Sequence, residues 1–324
     1  MKINMSHGGG GTMTQGLIDS LFKRHFQNDL LMKGEDSAVF LLNGKVAFTT
    51  DSFVVQPLTF PGGDIGRLAV CGTVNDLLTV GAEPKYLSAG FILEEGLELD
   101  LLETVVRSMA ETAREAGVRI VTGDTKVIEG RGGLMINTSG IGTVRQDYAP
   151  QPCKPGDALL VSGNLGEHHA AILSRRMGIE NGIQSDCAPL NEMVMRLLDA
   201  GIGIRAMRDV TRGGLGTILS ELAELHGIGI TIEESALPLS PEVRGFCAIL
   251  GLDPLYMGNE GKMLFVVDGG DAKRAVETIQ GSRFGENAAI LGSVTEGTGV
   301  VMKTSIGGSR VVGLLAGEGL PRIC

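Results

Sequence analysis

The sequence contains no Trp and only three Tyr, so its core must be assembled from aliphatic side chains and close backbone contact. It lacks any run of 18 apolar residues, which excludes a membrane-spanning helix. Its start, MKINMSHGGGG, lacks the apolar centre of a secretory signal. Basic runs are missing as well. With 28 Lys and Arg against 38 Asp and Glu, the net charge is −10. A nucleic-acid partner, which needs a basic face, is therefore not expected. The five cysteines stand at 71, 153, 187, 247 and 324 without a CxxC pair, which removes the zinc-ribbon spacing and reads as reduced thiols. A bacterial or archaeal cytoplasm is the expected location.

Glycine is what the sequence has in excess. The 49 Gly among 324 residues are roughly double the usual share of about 7%. They follow no three-residue period, which excludes collagen. Apolar residues make up 43% and recur along the whole chain, which excludes a disordered polypeptide. The glycines therefore mark tight turns or places where backbone approaches a ligand.

The pattern predicts an α+β protein of two domains. Residues 1–34 read as an N-terminal extension with a Gly-rich loop and an amphipathic helix near Gln15–Phe26. A first domain spans 35–150. It opens with a hairpin of Ser37–Leu42 and Lys45–Thr50 across Asn43-Gly44. Helices over 64–80 and 98–116 and strands over Val118–Thr122 and Leu134–Val144 follow. Three prolines between Tyr148 and Pro155 set a boundary. The second domain, 151–312, has helices near 167–177, 189–200, 214–226 and 271–280 between strands near 158–162, 204–207, 228–232, 263–268, 288–295 and 299–304. Residues 313–324, with two glycines and a proline before the terminal Cys324, read as a mobile arm.

No G-x-x-x-x-G-K-[ST] exists, so a P-loop is excluded. Gly201-Ile-Gly-Ile-Arg-Ala206 follows a helix and reads as a turn. The candidate chemistry lies instead in spaced aspartates: Asp36 before a strand, Asp51 after one, Asp76 inside an apolar helix, Asp124 after a strand and Asp209 before a helix. Carboxylates at strand ends suit Mg²⁺ carrying substrate phosphates. Singly, each also fits a turn or a cap. Asp76 stands out, because a carboxylate among apolar neighbours needs a cation or strong donors.

Glycines before the 214–226 helix expose N–H groups to an anion, and Gly8, Gly9, Gly10 and Gly11 either fold over phosphates or form a loose tail. His168 and His169 point to different helix faces, so they read as surface or cap residues. Cys324 offers an accessible thiol on a swinging arm, or is an incidental terminal thiol. Its place as the final residue does not fit a C-a-a-X box.

In order, Gly34-Glu-Asp-Ser-Ala-Val, Thr50-Asp-Ser, Asn75-Asp-Leu, Gly81-Ala-Glu-Pro, Gly123-Asp-Thr-Lys and Arg208-Asp-Val-Thr-Arg-Gly-Gly resemble the aminoimidazole-ribonucleotide-synthetase-like (PurM-like) ATPase superfamily. Ser6-His-Gly-Gly-Gly-Gly11, Phe60-Pro-Gly-Gly63, Asn259-Glu-Gly-Lys262 and the closing Pro321-Arg-Ile-Cys324 resemble its HypE family of hydrogenase maturation factors in particular. The resemblance covers essentially the whole chain. It implies a homodimer that binds ATP with Mg²⁺, the metal and phosphates being held by Asp36, Asp51, Asp76, Asp124 and Asp209.

The resemblance further implies a reaction. A carbamoyltransferase, HypF, loads a carbamoyl group onto Cys324. ATP-dependent dehydration turns that group into a thiocyanate, and the cyano group passes to iron on a HypC–HypD complex for [NiFe]-hydrogenase. A carboxamide oxygen leaves poorly, and phosphorylation makes it a leaving group. Lys126 and Glu260 are the implied catalytic residues. If the two form a buried pair, Lys126 stays charged and Glu260 is the base. Two alternatives remain: another ATP-dependent enzyme of the superfamily, or a non-catalytic nucleotide-binding scaffold whose tail is a docking peptide.

Overall fold

The computed structural model describes residues 1–35 and 37–315 and has the expected α+β architecture, built on two main sheets. In the first, Val46–Phe53, Leu134–Val144, Ala82–Glu94 and Arg119–Ile128 lie side by side in that order. The first three are antiparallel neighbours, and the last pair is parallel. The parallel pair requires a crossover, which the helix Leu99–Glu115 supplies. The second sheet has seven strands, ordered Ser309–Val312, Gly299–Lys303, Gly229–Glu233, Ala289–Thr295, Ala158–Val161, Met263–Val267 and Ile204–Asp209. The proline-rich segment runs between Val144 and Ala158.

The helix Ile65–Thr79 joins the two halves. It is apolar all round because it is buried all round. From Ile65 to Leu78 only Arg67 and Asp76, its two charged residues, keep partial exposure. Asp64 caps its start, its Oδ1 accepting the N–H groups of Gly66 at 2.7 Å and Arg67 at 3.0 Å. One apolar core runs from Leu68 and Val70 through Met109 of the neighbouring helix to Leu160, Met193 and Phe265 of the second half. A second lies under the helix Gly214–His226, whose Leu215, Ile218, Leu219 and Leu222 form the expected stripe.

Gly66 is where the two helices touch. A Cβ there would stand 2.3 Å from the carbonyl oxygen of Val105. Gly66→Ala is expected to destabilise the fold by about 1–3 kcal/mol through overpacking, read as a lower midpoint in urea unfolding.

The structure corrects several expectations. Ser37–Leu42 forms no strand, because Val46–Phe53 takes Leu134–Val144 as its partner and leaves nothing for a local hairpin. Val39 and Leu41 of that segment are 70% and 93% exposed. Ala82–Glu94, 13 residues long, is an interior strand that periodicity did not predict. The strand expected at Val118–Thr122 runs from Arg119 to Ile128, so Asp124 lies within it rather than after it. Asp51 likewise lies inside Val46–Phe53. His168 and His169 are both buried, not at the surface. The His168 ring packs edge-on to Phe60 and its Nδ1 is 2.7 Å from Ser185 Oγ. Burial pushes His169 down to about 4, so it is neutral at pH 7. Among the described residues no helix is long and apolar enough to cross a membrane.

Candidate active site

Three of the aspartates meet in one cavity of about 200 Å³, between the end of Val46–Phe53, the helix Ile65–Thr79 and the end of Ile204–Asp209. Asp51, Asp76, Asp209 and Glu260 line it, with Thr211 and Arg212 at the approach to the Gly214–His226 helix. Gly72, one turn before Asp76, admits the strand: a Cβ there would meet the Phe53 ring at 2.8 Å. Thr49 donates from Oγ1 to Asp76 Oδ2 at 2.8 Å, and the Ser52 N–H donates to Asp51 Oδ1 at 2.7 Å.

Two of these carboxyls, Asp209 and Asp76, resist ionisation. Burial pushes Asp209 up to about 6, with the like charge of Asp76 adding to it. Asp76 is raised by burial too, with Asp51 adding like charge, against the lowering hydrogen bond from Thr49. An oxygen-only donor set whose members repel one another fits a hard divalent cation. Among the described residues no three His, Cys, Asp or Glu side chains converge closely enough to hold a metal ion alone. A cation here would complete its shell with phosphate oxygens and water, as Mg²⁺ does.

Asp124 and Lys126 lie elsewhere. The register aligns Ser52 with Asn137, Gly90 and Asp124 across four strands, which separates the Asp51 and Asp124 edges by about 14 Å. Lys126 Nζ is 2.9 Å from Asp124 Oδ1, and that bond holds the Asp124 carboxyl below the usual carboxylate range. Both line a different cavity of about 270 Å³, beneath Gly8 and Gly10 and floored by Phe22, Phe26 and Phe91. Gly8 rests on the Arg119–Ile128 strand, where a Cβ would come within 2.7 Å of Val127 N. The Gly10 N–H donates to Thr14 Oγ1 at 2.9 Å. Gly9 closes the short turn Met5–Gly8, and Gly11 precedes the helical run that begins at Thr12.

The buried Lys126–Glu260 pair is therefore not formed within this chain. Lys126 is 65% exposed and paired with Asp124, whereas Glu260 is 4% exposed in the aspartate cavity. Asp36 and Cys324 lie outside the described residues, as does the arm from 316 onward.

Sequence reasoning missed Asp186 and the role of Lys262. Lys262 Nζ is 3.2 Å from Asp186 Oδ2, beside a polar cavity of about 470 Å³ lined also by Arg67 and Glu167. The available signal was the irregular stretch 178–190, long for a connection inside a compact domain.

Residues 34–144 match the AIR synthase related protein N-terminal domain, and residues 154–304 match the C-terminal domain of the same family. Over 335 residues the chain is 47% identical to the carbamoyl dehydratase HypE of Rhodobacter capsulatus, covering 100% of this chain and 98% of that protein. Its fold superposes with a TM-score of 0.95 on a crystal structure of hydrogenase maturation protein HypE in complex with ATP, at 46% identity and 99% coverage of both chains. A HypE–HypF complex matches with a TM-score of 0.81 at 44% identity, covering 92% of this chain and 99% of that one. A match that spans the whole chain and both family domains places the chain in the HypE family of AIR synthase related proteins.

Proposed function

We propose that the chain is an ATP-dependent carbamoyl dehydratase that converts a carbamoyl group on the Cys324 thiol into a thiocyanate. The end-to-end identity to a carbamoyl dehydratase HypE carries this reading. The buried carboxylate cavity supplies a place for its chemistry.

Asp51, Asp76 and Asp209 would hold Mg²⁺ together with the phosphates of ATP. Once bound, the cation neutralises phosphate charge and orients the γ-phosphoryl group. Transfer of that group to the carbamoyl oxygen turns the oxygen into a leaving group. One nitrogen proton leaves as the oxygen is phosphorylated, giving an imidate phosphate, and loss of phosphate together with the second nitrogen proton then leaves S–C≡N. Glu260 takes that proton, its carboxylate being held in the cavity away from bulk water. Gly8, Gly9, Gly10 and Gly11, with Asp124 and Lys126 on the strand below, are assigned to ATP. Asp36 is assigned to the metal and phosphate set by resemblance.

We assign a homodimer, HypF as the carbamoyl donor and a HypC–HypD complex as the cyanide acceptor. The outer face of the first sheet supports the dimer: Val46, Phe48, Ile92 and Ile128 stand 40–68% exposed on it. The test follows ADP release by the chain carbamoylated at Cys324. One ADP is expected for each thiocyanate formed. Asp76→Asn is expected to slow that release by about 10²-fold while Cys324 is still carbamoylated. ADP release at the wild-type rate would remove Asp76 from the site.

A further inference from the structure

Asp186 and Lys262 form an ion pair whose side chains are 1% and 7% exposed, and none of the chemistry above uses it. A pair buried so deeply is a poor source of stability, because desolvating both charges consumes most of their attraction. Its geometry gives it another use. Asp186 Oδ1 accepts the N–H of Glu260 at 3.0 Å, while Oδ2 faces Lys262 Nζ at 3.2 Å. The same segment reaches back to Glu260, whose carbonyl accepts the Ala188 N–H at 3.4 Å. Gly261 makes the approach possible, since a Cβ there would lie 1.9 Å from the Asp186 carbonyl oxygen.

The clasp extends to both sides of the aspartate cavity. Asn75, next to Asp76, donates to the Ala188 carbonyl at 3.0 Å and accepts from the Leu190 N–H at 3.0 Å. The Lys262 carbonyl accepts the N–H of Val210, next to Asp209, at 2.9 Å.

We propose that Asp186, through its acceptor bond to the Glu260 N–H, is a positioning residue that fixes the Glu260 carboxylate against the reacting carbamoyl nitrogen. The proposal rests on the dehydratase reading for its kinetic consequence, but the clasp itself can be tested without turnover. Asp186→Ala is expected to speed hydrogen exchange at the Glu260 amide, with the wild-type chain as reference. Unchanged exchange would overturn the clasp whether or not the chain dehydrates anything.

The kinetic arm reads single-turnover dehydration on Cys324. Asp186→Ala should lower the rate about 10²-fold, as a displaced catalytic group does, with ATP affinity preserved. Asp186→Asn keeps an acceptor for the Glu260 N–H and should restore the rate to within about tenfold of wild type. In a Glu260→Gln background, Asp186→Ala should bring no further loss, because both changes act through one group. An equal loss in that background would show that Asp186 acts independently and overturn the proposal. Should Asp186→Ala fail to fold, Asp186→Asn combined with Lys262→Met decides, since it removes both charges and keeps the acceptor. A rate within about tenfold of wild type is expected, and a loss beyond 10²-fold overturns the proposal.

Discussion

Glu260→Gln is expected to lower carbamoyl dehydration by about 10³-fold, within the range a general base contributes, while ATP binding is preserved. The amide matches the carboxylate in shape and keeps the Asn259–Lys262 backbone in place, but it cannot take a proton from nitrogen. Glu260 shares its cavity with Asp51, Asp76 and Asp209, so a proton acceptor stands beside the groups assigned to phosphate and metal. Single-turnover conversion, followed on the Cys324 peptide, measures the loss. A rate near that of the wild-type chain would assign the base elsewhere.

Asp209→Asn should move activity and stability in opposite directions. Activity falls by about 10²-fold or more, because a carboxylate assigned to the cation is gone. Stability of the ligand-free chain rises at neutral pH. The sign follows from linkage. Asp209 in the fold is held up at about 6, whereas an unfolded Asp titrates near 3.8. Between those values the folded chain keeps a proton that the unfolded chain releases, so stability declines as pH rises. Above pH 6 the full cost applies, at most about 3 kcal/mol. Asn carries no such cost. Urea unfolding without nucleotide or divalent cation should therefore show Asp209→Asn more stable than wild type at pH 8. The difference should vanish near pH 4. Equal stabilities at pH 8 would mean that the carboxylate cluster is not strained. This is the signature of a site that stores unfavourable charge for a ligand to neutralise.

The parts legible in the sequence were those set by local pattern. The helix Gly214–His226 has a clean apolar stripe, and the strand Leu134–Val144 opens on the apolar run Leu134-Met-Ile136, so both are legible at their observed bounds. Non-local pairing hid the rest. Asn43-Gly44 is a strong hairpin signal, yet the strand after it pairs with residues about 90 positions onward. Pro84 disguised an interior strand. It falls where the register shifts, so its missing N–H costs little in the ladder. Gly123-Asp-Thr-Lys126 looks like a loop by composition, but parallel pairing with Ala89–Ile92 keeps it extended.

The same contrast runs through the site. Asp76 was conspicuous because a charge interrupts an apolar helix, and the structure places it among carboxylates. Glu260 and Lys126 came only from family resemblance, and the chain holds them in separate cavities. Asp186 carried no signal except the irregular stretch around it. What makes it matter is a contact to a backbone N–H 74 residues later, which no local pattern encodes.

The most direct test is the intact mass of the chain carbamoylated at Cys324, incubated with ATP and Mg²⁺ and compared with a control lacking ATP. Dehydratase activity predicts the ATP-dependent loss of one water, confined to the C-terminal peptide. An unchanged mass accompanied by release of ADP would contradict it and leave the chain a nucleotide-hydrolysing scaffold with a docking tail.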